Sequence, residues 1–105
     1  MDTIYQISQT PQFVKWLKSL KDIRGKAAIV LRLKSIEAGN LGDFKQLGKS
    51  VAELRFHIGP GYRVYFSQRN QKLILLLAGG DKSTQAKDIA RALKLAKDYV
   101  HEQDH

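Results

Sequence analysis

The stretch VAELRFHIGPGYRVYFS, residues 51–67, decides the fold, because apolar and polar residues alternate along it with the two-residue period of a β-strand. In its first half, Leu54 and Phe56 lie on one face and Arg55 lies on the other. The second half alternates in the same way after residues 59–61, GPG, which are typical of a turn. The stretch therefore predicts a β-hairpin with one apolar face and one face of basic and aromatic side chains.

The parity of the pattern sets the register of this hairpin, since a slip of one residue would turn every side chain to the other face. A two-residue turn would mix the faces, whereas a three-residue loop from Gly59 to Gly61 keeps them separate. We expect Gly61 to take the left-handed conformation of a bulged turn. The predicted register gathers four polar side chains on one open sheet surface. The expected pairs are His57 with Arg63 and Arg55 with Tyr65.

Further strand and helix signals precede the hairpin. Residues 3–7 predict a short strand, and a helix begins with Thr10 as its N-cap and Pro11 at its first position. A second helix is predicted to end near Ala38, before a glycine-rich connection over residues 39–50. We expect the two helices to form a helical hairpin laid over the sheet.

The C-terminal part of the chain supplies one more strand and one more helix. Residues 73–80, LILLLAGG, are apolar at consecutive positions and predict a central strand buried on both faces. A last helix begins at Ser83 or Thr84. The sequence therefore predicts one α+β domain over residues 1–105 with the order β-α-α-β-β-β-α. In it, a curved antiparallel sheet carries the helices on one face and the arginines on the other.

The composition indicates an anionic partner and a reducing compartment. Eighteen lysines and arginines against ten acidic residues give a net charge of +8, which suits nucleic acid or an acidic protein segment but can also serve solubility alone. The absence of cysteine excludes disulfides, thiolate metal ligands and a cysteine nucleophile. We expect neither a signal peptide nor a membrane span, since residues 1–12 lack a basic region with an apolar core and no apolar run is long enough to cross a bilayer. We therefore expect a cytoplasmic protein without membrane contact.

The motifs of several common enzyme classes do not occur in the sequence. It has neither a P-loop nor a G-x-S-x-G motif, and its three histidines, His57, His101 and His105, lack the spacing of a zinc-protease pair. The polar face of the predicted hairpin lacks the cluster of carboxylates and histidines that a metal site needs. We therefore expect no metal and no other cofactor, which leaves metal-free chemistry or binding.

The polar face of the hairpin suits one metal-free reaction, the cleavage of RNA by its own 2′-hydroxyl. Arg55 and Arg63 can stabilise the phosphorane, because guanidinium groups match phosphate oxygens. His57 is the candidate for proton transfer, and Tyr65 can transfer a proton, orient the backbone or stack on a base. Lys82 follows the central strand and can reach the same surface. From spacing alone, a sheet face that simply carries long polar side chains is an equally good interpretation.

Four parts of the chain carry a family resemblance: VAELRFHIGPGYRVYF (51–66), LLLAGGDKSTQAKDIARA (75–92), GNLGDFKQLG (39–48), and the residues Phe13, Trp16 and Leu17. They resemble the RelE/ParE superfamily of bacterial type II toxin–antitoxin toxins. Within it they are most similar to the addiction module killer proteins, a HigB-like branch. The resemblance implies a RelE-like fold and a small basic toxin. It also implies an antitoxin, of helix-turn-helix type, that is encoded beside the toxin and neutralises it.

Two activities occur in this superfamily, so the resemblance does not fix the function. RelE and HigB-type members cleave mRNA on the ribosome, whereas ParE members inhibit DNA gyrase. Arg63 matches the strand arginine that mRNA-cleaving members use on the scissile phosphate, and Arg55 falls on the adjacent strand among further basic residues. Lys82 falls near a position where those enzymes often have arginine or histidine. The tyrosine that RelE has soon afterwards is absent here.

The first hypothesis is therefore a ribosome-dependent mRNA endoribonuclease. Its partners would be the ribosome, mRNA and the antitoxin, through which it reaches operator DNA. Lys45 and Lys49, in the glycine-rich connection, are expected to contact RNA phosphates. One alternative is a non-enzymatic, ParE-like inhibitor of gyrase. Another is a binding module that has lost toxicity but still binds its antitoxin.

Overall fold

One five-stranded sheet lies at the centre of the computed structural model, which describes residues 4–48 and 50–103. The strands run in the spatial order β1-β5-β4-β3-β2. A short 3-10 helix, Lys82–Thr84, leads into the last α-helix. The elements in chain order are β1 (Gln6–Gln9), α1 (Pro11–Ser19), α2 (Ile23–Glu37), β2 (Phe44–Gln46), β3 (Ala52–Arg55), β4 (Arg63–Arg69), β5 (Leu73–Gly80) and α3 (Gln85–Gln103).

Two features of the sheet differ from the prediction. The segment Phe44–Gln46, predicted as part of a loop, forms the edge strand β2 and pairs with β3. All three of its residues are exposed, so it has no alternation of buried and exposed positions that would mark it as a strand. The sheet is also not purely antiparallel, since β1 pairs with β5 in parallel. The order is therefore β-α-α-β-β-β-β-α, with one strand more than expected.

The start of α1 follows the sequence signals. The Thr10 side chain accepts a hydrogen bond from the backbone N–H of Phe13 (3.1 Å) and donates one to the carbonyl oxygen of Leu77 (2.6 Å). Pro11 occupies the first helical position, as predicted. Because the bond to Leu77 crosses to β5, the same side chain both caps α1 and fixes it on the sheet.

Helices cover both faces of the sheet, which corrects the expectation that all of them lie on one face. The core under α1 and α2 contains Phe13, Ile29, Ile36, Ala52, Leu54, Phe56, Tyr62, Val64, Phe66, Ile74 and Leu76. The core under α3 contains Val51, Tyr65, Leu75, Leu77, Ala78, Ala92, Leu95 and Ala96. β5 contributes to both, so the predicted burial on two faces is confirmed. A continuous apolar strand of this kind needs a cover on each side.

The hairpin keeps its predicted faces but not its predicted register. Arg55 pairs with Arg63, and the backbone N–H of Phe56 donates to the carbonyl oxygen of Tyr62 (3.0 Å). The loop therefore spans residues 57–61, and the pairing is shifted by two residues from the expected one. A shift of two preserves the face of every side chain but changes its partner. Gly59 and Gly61 both have positive φ, at 56° and 78°, and the left-handed conformation predicted for Gly61 is confirmed.

The end of β5 has no room for side chains on either side. A Cβ on Gly79 would collide with the indole ring of Trp16, from α1, and a Cβ on Gly80 would collide with the carboxylate of Asp88, from α3. Glycine is therefore required here for close approach, and φ is not the reason. The two contacts hold the helices of opposite faces against one short piece of backbone.

Candidate functional site

The site is built on a row of residues that crosses three strands. Arg55 of β3 lies directly opposite Arg63 of β4, which in turn lies opposite Gly80 of β5. On the other side of Arg55, the carbonyl oxygen of Asp43 accepts a hydrogen bond from its backbone N–H (3.0 Å). Two arginines in directly opposite positions repel each other, so their stability in this position depends on nearby carboxylates.

The first of these carboxylates belongs to Asp43, just before β2. Its Oδ1 lies 3.1 Å from Nη2 of Arg55, and its Oδ2 lies 2.6 Å from Nε2 of His57. The hydrogen bond from His57, followed by that from Arg55, holds the pKa of Asp43 below its ordinary value. The Asp43 carboxylate thus contacts two of the side chains predicted from the sequence as site residues, Arg55 and His57.

The loop that carries Asp43 is held from below by Arg32 of α2. Nη2 of Arg32 donates to the carbonyl oxygens of Arg55 (2.8 Å) and Asp43 (3.4 Å). Its guanidinium also stacks over the ring of Phe56, 4.7 Å from the centroid. Gly42 has a φ of +71° and leaves space for this guanidinium. Arg32 therefore serves as a support that fixes the loop before β2 against the hairpin.

The second carboxylate belongs to Glu53, which is buried two residues before Arg55 in β3. Its side chain is only 1% exposed, and Oε2 lies 3.9 Å from Nε of Arg63. Nε2 of Gln85, at the start of α3, donates a hydrogen bond to the same oxygen (2.8 Å). Burial and the charges of Glu53 and Asp88 raise the pKa of Tyr65, which lies opposite Glu53 on β4. The phenol is therefore neutral across the physiological range.

A cleft of about 500 Å³ opens beside these arginines at the hairpin loop. Its positively charged lining and open shape suit an anionic ligand. Lys82 reaches it from the 3-10 helix after β5, and its Cβ lies close to Gly61. The lining residues are Arg55, Phe56, His57, Ile58, Gly59, Pro60, Gly61, Arg63 and Lys82.

The structure brings together four of the predicted site residues: Arg55, His57, Arg63 and Lys82. Tyr65 does not join them, and the expectation that it lies on an open surface is wrong. Its side chain is fully buried because α3 covers this part of the sheet. Lys45 is exposed on β2, opposite Glu53, and does not line the cleft. Lys49 lies outside the described residues.

Comparisons with known proteins come from sequence and from structure. No protein-family model matches the chain. An "uncharacterized protein" of Haemophilus influenzae is 48% identical over 93 residues, which cover 89% of this chain and 94% of that protein. The chain belongs to the same family as this Haemophilus protein. The likeness extends over almost the full length of both, so it includes every element that builds the cleft.

The fold is also found in a solved structure. A mutant of the Escherichia coli toxin RelE in the free state aligns with a TM-score of 0.68 and 15% sequence identity, over 87% of this chain and 96% of that one. At this identity the likeness establishes the fold. The predicted RelE-like fold, with its mixed α+β architecture, is therefore confirmed, although its sheet has five strands and not the four that were predicted.

The residues that sequence reasoning missed are the partners of the selected ones: Arg32, Asp43, Glu53 and Gln85. Glu53 carried a signal, since it shares the polar face of the hairpin with Arg55. Asp43 carried none, because the strand that places it beside Arg55 had no recognisable pattern. Partners that come from other elements can be identified only when the pairing of β2 with β3 and the position of α3 on the sheet are known.

Neither a metal cluster nor a membrane-spanning helix is found in the described part of the chain. Within residues 4–48 and 50–103, no three histidine or carboxylate side chains gather as they would around a metal ion. Over the same ranges, no helix has the length and apolar character needed to cross a bilayer.

Proposed function

We propose that this protein is the toxin of a type II toxin–antitoxin system and that it cleaves mRNA on the ribosome. The single observation that carries the proposal is the cross-strand pair of Arg55 and Arg63, which lines one cleft together with His57 and Lys82. Asp43 and Glu53 hold these two opposed guanidinium groups in place, and guanidinium groups match the oxygens of a phosphate. A RelE-like fold supports the same reading, since the aligned protein is a toxin.

The chemistry follows from the groups in the cleft. Arg55 and Arg63 bind the non-bridging oxygens of the scissile phosphate and stabilise the charge of the phosphorane. His57 moves the proton, because imidazole is the side chain best suited to that role at neutral pH. Lys82 adds positive charge at the edge of the cleft. Tyr65 has no part in the reaction, since its hydroxyl is buried away from the cleft.

The proposal also covers the setting in which the toxin acts. It functions in the cytoplasm as one domain over residues 1–105, in the HigB-like branch of the superfamily. An antitoxin of helix-turn-helix type neutralises it and links it to operator DNA. The net charge of +8 supports ribosomal RNA and mRNA as partners, since phosphate contacts dominate the affinity for nucleic acid. Lys45, exposed on β2, is proposed to contact RNA phosphates beside the cleft.

Expression without the antitoxin tests the activity directly. Primer extension on a reporter mRNA should show new 5′ ends inside translated codons, and these should disappear when the start codon is removed. DNA damage with intact mRNA would instead indicate gyrase inhibition. Growth without arrest would indicate a binding module.

Arg63→Ala tests the site. We expect the cleavage rate to fall by roughly 10²-fold or more, because one charge-stabilising donor is lost from the transition state. The matched control is Arg91→Ala, which removes the same charge from an exposed position of α3 outside the cleft. Both variants should still bind the antitoxin in a pull-down. Full cleavage by the Arg63→Ala variant would overturn the assignment.

A further inference from the structure

The orientation of His57 depends on one hydrogen bond. The residue lies in the hairpin loop beyond the end of β3, and its side chain is 75% exposed. Among the described residues its ring has one hydrogen bond, between Nε2 and Oδ2 of Asp43. An imidazole this exposed has little packing to restrict its rotation, so the carboxylate supplies most of the restraint.

The chemistry of Asp43 decides which ring nitrogen carries the proton. Two hydrogen bonds to its carboxylate hold the pKa of Asp43 below the ordinary range, so the group is ionised at neutral pH. An ionised carboxylate can only accept hydrogen bonds. Nε2 of His57 must therefore be the donor at 2.6 Å. In the neutral ring the other nitrogen, Nδ1, then has no hydrogen and offers a lone pair.

The position of Asp43 is itself fixed by the fold. Its carbonyl oxygen accepts from the backbone of Arg55 (3.0 Å) and from the guanidinium of Arg32 (3.4 Å). Gly42, with its positive φ, gives the chain room to pass the same guanidinium. The carboxylate is thus presented to His57 from a restrained backbone, as an orienting group has to be.

We propose that Asp43 is a positioning residue that holds His57 with Nε2–H bonded to the carboxylate and Nδ1 free to act as the general base. This inference rests on the proposed function and assigns the proton acceptor that it leaves open. The proton of the ribose 2′-hydroxyl passes to Nδ1, and the 2′-oxygen forms its bond to phosphorus. The bond from phosphorus to the 5′-oxygen breaks with its electron pair, and that oxygen takes a proton from water in the open cleft. The products are a 2′,3′-cyclic phosphate and a 5′-hydroxyl.

Asp43 acts mainly through His57, although it also contacts Arg55. Arg55 lies within β3 and its side chain is 35% exposed, whereas His57 lies outside the strand with a side chain that is 75% exposed and has less packing to restrain it. Loss of the carboxylate therefore disturbs the imidazole more than the guanidinium. It also removes a negative charge that lies beside two residues of the cleft, Arg55 and His57, which favours RNA binding.

The test compares Asp43→Asn, His57→Ala and the double variant of the full chain on mRNA-programmed ribosomes. Single-turnover cleavage gives the rate constant, and an mRNA with a 2′-deoxyribose at the cleaved position gives the Kd. We expect Asp43→Asn to slow cleavage roughly 10- to 100-fold, less than the full effect of a general base, with an unchanged or tighter Kd. In the His57→Ala background the same change should have less than a twofold effect, because coupled residues are not additive.

Asp98→Asn is the matched control, since it removes one carboxylate from an exposed position of α3 and should leave cleavage unchanged. Full activity of Asp43→Asn, or a further loss in the His57→Ala background, would overturn the role of Asp43 alone. If the wild-type protein produces no cleavage, the proposed function itself fails.

A second measurement does not depend on activity. Two-bond ¹H–¹⁵N NMR of the free protein, labelled on its histidine rings, distinguishes the two neutral tautomers. His57, assigned by its absence in His57→Ala, should carry its proton on Nε2 at neutral pH. A proton on Nδ1 would contradict the inference even in a protein that cleaves mRNA.

Discussion

The face of the sheet under α1 and α2 and the face under α3 differ in what they bury. The first buries mainly apolar side chains, and Thr10, a buried polar residue beside them, both donates and accepts a hydrogen bond through its hydroxyl. The second also buries Glu53, Ser67 and Asp88. It further encloses the Tyr65 hydroxyl, which has no hydrogen-bond partner among the described residues.

This difference indicates a division of roles between the faces. Burial of apolar surface stabilises a fold by about 25 cal/mol per Å², whereas burial of polar groups costs free energy unless they are well paired. The face under α1 and α2 therefore supplies stability. The face under α3 loses part of this stability through the burial of polar groups, and one of them, Glu53, lies beside Arg63 of the cleft.

The largest expected effect comes from the stabilising face. Leu54→Ala, at a fully buried position of β3, should lower the free energy of unfolding by about 2–5 kcal/mol, because it leaves a cavity in the core. Chemical denaturation followed by circular dichroism measures the change. Leu93→Ala on α3 is the control, since that side chain is 43% exposed. Equal losses in the two variants would contradict the stabilising role of the buried Leu54 side chain.

A smaller effect is expected on the other face. Tyr65→Phe removes a buried hydroxyl that lacks a partner and keeps the ring in place, so the free energy of unfolding should change by less than about 1 kcal/mol. Cleavage of mRNA should also persist, because the hydroxyl does not reach the cleft. A large loss of stability would reveal that the hydroxyl is paired in solution, and a loss of cleavage alone would return Tyr65 to the reaction.

The smallest expected effect is on the pH dependence of folding stability, through the carboxyl group of Asp43. Its folded-state pKa lies below the ordinary 3.8 because of the hydrogen bonds from His57 and Arg55. A depressed carboxyl pKa stabilises the fold above the unfolded-state value, and this contribution disappears as the pH falls through the folded-state value. Asp43→Asn should therefore be less stable than the wild type at pH 7, with the difference shrinking below about pH 4. Unfolding at both pH values measures it, and a constant difference would contradict the assignment. Since these side chains are partly exposed, 1 M salt should weaken the effect.

The sequence predicted the fold best where a local residue pattern alone determines the structure, as in strand alternation and helix capping. Strict alternation placed Arg55 and Arg63 on one face and Leu54 on the other, and this held even though the hairpin register is shifted by two residues. Local capping chemistry placed Thr10 at the start of α1. Such features depend on a few neighbouring residues, so they can be read without knowledge of the whole fold.

What escaped prediction depends on contacts between distant parts of the chain. The exposed edge strand β2 exists only through its pairing with β3, and no burial pattern announces it. The apolar stripe of α3 fits either face of a sheet, so Tyr65 was assigned to an open surface that α3 covers. The Asp43–His57 contact follows from both the pairing of β2 and the wide hairpin loop, and neither was in the predicted register.

The two glycines at the end of β5 have a consequence for the thickness of the molecule. Trp16 presses on Gly79 from one side and Asp88 on Gly80 from the other, so only the bare main chain separates the two helical layers there. Lys82 follows two residues later at the rim of the cleft. The thickness of a bare main chain therefore sets the distance between the two helical layers next to that rim. A side chain added at either glycine would push one helix away from the sheet and change the position of the rim relative to the arginines.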